Sequence, residues 1–263
     1  MVELWLRLAH TKLRAEMQYR TSFVLVVAMT FVFSFLDFAA VWVIFANLNA
    51  MAGWTFADVA LLYGTSGVSF NLANVLVAGV DVAAAHIRAG TFDILLLRPV
   101  GTIVQLSAAD IELKRVGRVA QGAVILVVAM ATVDVTWTPV RLAMLGVILV
   151  AGFAIFGAIW VVAASLGFWT VDNRQIANSV TYAGNKLTQF PLDVFAGWLR
   201  GVVLLLPLAF VNYLPIARLL GKDDAYGLPS WFGFASPIVA VVLAVAARGV
   251  WSFAIRHHRS TGS

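Results

Sequence analysis

Residues 21–46 read TSFVLVVAMTFVFSFLDFAAVWVIFA, a run whose single charge is Asp37. Arg14 and Arg20 precede it, as basic residues precede the core of a secretory signal. Such a core is limited to about 7–15 apolar residues, whereas crossing the hydrocarbon takes about 20. The run is therefore a membrane span. The rest of the chain agrees: 62% of its 263 residues are apolar and 12% charged, against about 25% charged in a soluble domain. Enlarging a core cannot account for that difference, because a soluble domain must still wet its surface. The composition defines an all-α polytopic membrane protein.

Four further runs follow, at 56–80, 116–133, 142–171 and 234–255. The run at 116–133 is marginal, because it carries Arg118 and Gln121 and follows Asp110, Glu112, Lys114 and Arg115. Its charged start is placed at the headgroups, where long side chains snorkel. The stretch 176–221 admits two parses. In one, 176–199 (IANSVTYAGNKLTQFPLDVFAGWL) is a cytoplasmic loop and 201–215 (GVVLLLPLAFVNYLP) a sixth span. In the other, the first half is a polar span facing the bundle. The second half, broken by Pro207 and Pro215, is then a re-entrant hairpin, tolerated at membrane depth only where protein or water covers it. Either parse gives six crossings and puts both termini on one side. With those termini inside, only Arg141, Arg200, Arg218 and Lys222 of the 18 Lys and Arg fall outside, so the positive-inside rule makes both ends cytoplasmic. Residues 1–20 place Glu3, Arg7, His10, Arg14 and Gln18 on one stripe, as in an amphipathic helix lying in the interface.

Chemistry-bearing patterns are scarce. With no cysteine and four scattered or terminal histidines, thiolate sites are excluded and no metal site is expected. The surplus of basic residues reflects membrane orientation rather than nucleic-acid binding. A phosphate cradle needs G-x-x-x-x-G-K-[ST], and the one Gly-Lys pair, Gly221-Lys222, runs into Asp223. Gly197 and Gly201 match G-x-x-x-G, but Trp198 and Arg200 between them make a poor dimer face. Polar residues inside spans are the remaining candidates: Asp37 in the first, Asn71 and Asn74 in the second. Such groups line an aqueous path or bond between helices.

Residues 87–100, IRAGTFDILLLRPV, interrupt the apolar pattern. Gly90 permits a sharp turn, Asp93 is placed to cap a helical turn, and Arg98-Pro99 ends it. The outcome is a short cytoplasmic helix presenting Phe92 and leucines beside charges.

This segment resembles the ABC-2 type permeases of ABC exporters, in their branch of small six-span bacterial proteins. Residues 190–221, FPLDVFAGWLRGVVLLLPLAFVNYLPIARLLG, are similar to that branch's signature before the last span, and the ending RHHRSTG at 256–262 is similar too. His257-His258 departs from the expected arginine-tyrosine pairing. The resemblance implies a single permease domain over 1–263. Its parts are an interfacial helix (1–20), spans 1–2 (21–84), a coupling loop (85–103), spans 3–5 (104–196), an outer re-entrant region (197–233), and span 6 with a cytoplasmic tail (234–263). It implies that Arg88, Gly90, Phe92, Asp93, Leu96, Arg98 and Pro99 form the coupling helix that docks on a separate ATPase, with Phe92 and Leu96 as anchors. It favours the hairpin parse, with span 5 at about 176–195 and Asn185, Lys186 and Gln189 facing the bundle beside Asp37, Asn71 and Asn74 as candidates for the translocation path. The implied assembly has two ATPase copies, which hold the ATP and Mg that this chain does not, and a second permease, related rather than identical. It sits in the bacterial inner membrane. An ion-gradient-driven secondary transporter or channel is the rival reading; it would use Asp37 and Lys186, but the chain shows no internal repeat. An intramembrane enzyme would need a catalytic constellation, which the residues do not supply.

Overall fold

The computed structural model describes residues 10–11, 14, 17–48, 50–109, 115–170, 174–222 and 228–257. The expected interfacial helix at 1–20 and the tail beyond 257 lie largely outside these. The described residues form eleven α-helices: α1 (Arg20–Ala46), α2 (Phe56–Leu76), α3 (Ala83–Arg88), α4 (Phe92–Leu96), α5 (Thr102–Ala109), α6 (Val116–Thr132), α7 (Pro139–Ser165), α8 (Arg174–Thr188), α9 (Gly197–Leu205), α10 (Tyr213–Leu220) and α11 (Ser236–His257). Four helical stretches are long and apolar enough to cross a membrane: α1, α2, α7 continued to Phe168, and α11. Helix α6 is apolar but shorter. The second apolar run ends as an α-helix at Leu76, not at Val80, and passes into a 3-10 turn, Ala78–Val82.

Helix α2 is the axis of the bundle. Every residue from 58 to 71 is buried. It packs along α6, α7 and α8. Its start is fixed by a reciprocal cap, in which Thr55 accepts from the Asp58 amide while the Asp58 carboxylate accepts from the Thr55 amide, satisfying two donors that a helix start leaves open. Helix α7 begins on Thr138, which caps it, with Pro139 in the first turn, where proline's missing N–H costs nothing. Helix α1 stands at the edge, with only Val41 buried, and leans on α6. Its Val24, Leu25, Met29, Val32 and Val43 remain exposed, an apolar surface suited to lipid.

The ambiguous stretch resolves into helix. Residues 174–188 are α8, not a loop, and its Thr181, Asn185 and Thr188 are buried against the bundle. The expected continuation to 195 does not occur: Pro191 follows, and the chain passes into a 3-10 turn at Leu192–Val194. Helices α9 and α10 flank a break at Leu206 and Pro207. Asn212 ties this segment inward, its amide donating to Leu62 O (2.8 Å) and Thr188 O (2.9 Å). Asp193 accepts from Trp54 Nε1 and Tyr213 OH, each at 2.8 Å. Lys222 meets Asp58 at 2.7 Å. These bonds fasten the broken segment to the start of α2. Asn212→Ala removes two of them, at about 1 kcal/mol each, and is expected to lower the free energy of detergent-induced unfolding by about 1–2 kcal/mol. Gly197 and Gly201 have open space where a Cβ would stand, so that pair packs nothing within the chain.

Candidate functional site

Helices α1, α2, α6 and α8 wall a polar cleft of about 640 Å³. It gathers Asp37 from α1, Asn71 from α2, Asn185 and Lys186 from α8, and Gln189 from the turn just past α8. The packing at glycines explains how such a cleft forms. Gly64 faces Leu126 and Gly67 faces Gly122 across the α2–α6 contact, while Gly117 sits under α1 at the backbone of Val27 and Phe31 and the Thr30 hydroxyl. Close approach at small residues is how helices associate where lipid provides no hydrophobic drive. It leaves the long polar side chains beside the seams to define the cavity.

The polar groups divide into braced and open ones. Asn71 Nδ2 donates to Gly67 O of its own helix (2.7 Å). Asn74 lies just beyond the cleft, donating to Tyr182 OH (2.9 Å) and accepting from Arg115. Ser66 joins Asn185 Oδ1 (3.0 Å) and Thr188 Oγ1 (2.6 Å), pinning α8 to α2. Apart from the Asn71 bond, which stays within α2, these are interhelical bonds of the ordinary kind. At one end of the cleft Asp37 and Lys186 form an ion pair at 3.4 Å, with side chains 64% and 57% exposed. This pair links the edge helix α1 to α8. The residues missed by the sequence reading as path candidates are Thr30, Ser34, Tyr63, Arg118, Gln121 and Tyr182. A signal existed for two of them: Arg118 and Gln121, noted as flaws in an apolar run, are three apart and so share one helix face.

Exchanging the two charges tests the pair. Asp37→Lys alone places two cations at one end of the cleft and is expected to lower transport at least tenfold, while Asp37→Lys with Lys186→Asp recovers most of it. Proteoliposome flux of both variants measures this.

The segment 87–100 lies beyond α2's C-terminal end, after the 3-10 turn Ala78–Val82. Gly90 takes φ +67°, a left-handed turn that glycine adopts freely, and joins α3 to α4. Two expectations are corrected here. Phe92 is not presented outward but is 0% exposed, edge-on to Phe168 at 5.2 Å, which in turn meets Trp251 at 5.5 Å. An apolar ring of this size is more stable in that pocket than in water, so it anchors α4 to its own chain. Asp93 does not occupy the cap position: Thr91 does, without a side-chain cap bond, and Asp93 falls in the first turn. The outward apolar surface is Ile94, Leu96 and Leu97, the last 86% exposed. Arg88, Gly90, Arg98 and Pro99 are exposed around it. Gln105 holds the far end, its amide donating to Leu95 O (2.9 Å) and Val100 O (2.6 Å). Trp251 Nε1 donates to Thr102 Oγ1 (2.9 Å), tying α5 to α11.

No group of histidine, cysteine or carboxylate side chains among the described residues is arranged to hold a metal. The fold and the cleft define a polytopic membrane protein with a polar cavity inside its helical bundle. The family model for ABC-2 family transporter protein matches residues 31–262, and the chain belongs to that family as a membrane component of an ABC-2 type transporter. That family is a transmembrane component, not itself an ATPase, and normally pairs with an ABC ATPase. No curated protein and no solved structure matches the chain.

Proposed function

We propose that this chain is the permease subunit of an ATP-driven exporter in a bacterial inner membrane, forming one half of the translocation path. Family membership supports this, and the observation that carries it is the polar cleft between α1, α2, α6 and α8, with its ion pair and amides at membrane depth. Ionisable groups inside spans are costly and by default mark a path. The six crossings comprise α1, α2, α6, α7, α8 and α11, with α9 and α10 as the outer re-entrant region and both termini in the cytoplasm. Asp37, Asn71, Asn185, Lys186 and Gln189 line the path, and Asn74 braces it.

Energy enters through the loop at 85–103. Two copies of a separate ATPase hold ATP and Mg, and one docks on the ridge of Ile94, Leu96 and Leu97, ringed by Arg88, Gly90, Asp93, Arg98 and Pro99. Phe92 acts on the other side of the same helix, carrying displacement into Phe168 and Trp251. A second, related permease completes the path.

Affinity purification of the tagged chain from its native membrane in mild detergent, followed by mass spectrometry, tests the assembly. A stoichiometric P-loop ATPase, with a second permease beside it, is the expected result. Recovery of the intact chain alone, with flux driven by an ion gradient, would replace this reading with a secondary transporter that uses Asp37 and Lys186.

A further inference from the structure

The charges that line the cleft are Asp37, Lys186 and Arg118. Asp37 and Lys186 compensate each other. Arg118 is half-buried and has no ion-pair or hydrogen-bond partner among the described residues. Its depth follows from the antiparallel packing of α2 and α6. Gly64 faces Leu126 and Gly67 faces Gly122, so one further turn brings Arg118 level with Asn71, a full turn above the Arg115–Asn74 contact. A half-buried guanidinium with no such partner calls for an anion or water to meet it. A second group points the same way. Gln189 is 4% exposed and lines the cleft, and its side-chain amide has no hydrogen-bond partner among the described residues. Asn185 uses its Oδ1 to accept from Ser66, which leaves its amide N–H groups for an occupant. Tyr63, Phe70 and Tyr182 supply apolar walls between these polar groups.

We infer that the cleft binds an amphipathic anion, its carboxylate or phosphate head on Arg118 and its apolar body against Tyr63, Phe70 and Tyr182. This rests on reading the chain as a permease and names the class of molecule that its path accepts. A guanidinium with forked donors suits a planar carboxylate or a phosphate, and a cation as cargo would face an uncompensated positive charge. The Asp37–Lys186 pair at the other end gives the anion a second cationic station once Asp37 releases Lys186. The same head chemistry belongs to an exported acid and to an anionic membrane lipid.

The test uses the full chain in phosphatidylcholine nanodiscs, without nucleotide or ATPase. Two photoreactive probes of equal chain length, a diazirine-bearing dodecyl phosphate and the matching trimethylammonium, are photolysed and the labelled peptides identified. The phosphate is expected to label α2 and α8 saturably, at least tenfold more than the ammonium. Arg118→Gln is expected to reduce that labelling at least tenfold, and Arg118→Lys to keep most of it. Equal labelling by the two probes in the unaltered chain overturns the inference without recourse to any variant, as does phosphate labelling that Arg118→Gln leaves intact. Adding phosphatidylglycerol separates the sources: suppressed labelling identifies the bilayer's own anionic lipid as occupant, and unchanged labelling an exported acid, the anion site standing in both cases. Co-purification of an ATPase is read independently, so loss of that partner would sink the exporter reading and leave the anion site in place.

Discussion

Leu97→Asp is expected to release the ATPase from the complex while leaving the permease folded and inserted. Leu97 is the most exposed residue of the ridge at the end of α4, and Ile94 lies three positions before it. Neither contributes to the chain's own core, so the substitution costs the free permease little. At a docked interface it buries a carboxylate in an apolar contact, and truncating an interfacial anchor typically costs about 2 kcal/mol or more, roughly a 30-fold weakening. Phe92→Leu on the other side of the helix has the opposite signature. The ATPase still binds, because the ridge is intact, but the smaller side chain loosens the Phe168 and Trp251 stack through which α4 meets α11. Pull-down of the ATPase and ATP-driven flux in proteoliposomes separate the two: Leu97→Asp loses both, and Phe92→Leu keeps the first and loses most of the second. If Phe92→Leu transports normally, the aromatic stack is a structural anchor and not the transmission.

The contrast at α4 shows where sequence reasoning stops. That 87–100 would form a short helix bounded by Gly90 and Pro99 was legible, because φ > 0 and the pre-proline restriction are local properties. Which side of that helix faces the body is not local. It depends on Phe168 and Trp251, which are distant in sequence and converge only in the fold. The long spans were legible for a different reason: lipid demands an apolar exterior, and that demand is written in composition. Helix α8 escaped a hydropathy reading because its Asn185 and Thr188 side chains meet Ser66 of α2 inside the bundle, while the Thr188 carbonyl accepts from Asn212 of the broken segment. The candidates Asp37, Asn185, Lys186 and Gln189 could each be picked out as polar residues in or beside expected spans, but the pairing of Asp37 with Lys186 joins α1 to α8 across 149 positions of sequence. No spacing rule reaches across that distance.

Gly64→Ala is expected to destabilise the bundle strongly, although alanine is the better helix former. The added Cβ would stand 2.7 Å from Leu126 Cα and 2.8 Å from Leu126 N. Those are backbone atoms, which no rotamer change can move, so α2 and α6 must separate along their whole contact. Overpacking of this kind costs about 1–3 kcal/mol or more, against a gain of about 1 kcal/mol in helix propensity, and the steric cost wins. Gly117→Ala meets α1 instead, with Thr30 Oγ1 2.5 Å and Phe31 N 3.1 Å from the new carbon. Helix α1 is the least buried of the spans, and α6 is the helix it leans on, so here the expected response is displacement of α1 rather than unfolding. Thr30, Ser34 and Asp37 leave the cleft with it. Gly146 of α7 is the control, since nothing lies within 4 Å of its hypothetical Cβ, and Gly146→Ala is expected to stabilise by about 0.5–1 kcal/mol. The chain has no cysteine, so Ser34→Cys provides a single label site on the wall. Gly117→Ala should speed its labelling by a water-soluble maleimide severalfold with little change in the unfolding midpoint. Gly64→Ala should lower the midpoint, and Gly146→Ala should raise it. A common sign for all three would mean that helix propensity, not the close approach of α1, α2 and α6, sets the stability of this bundle.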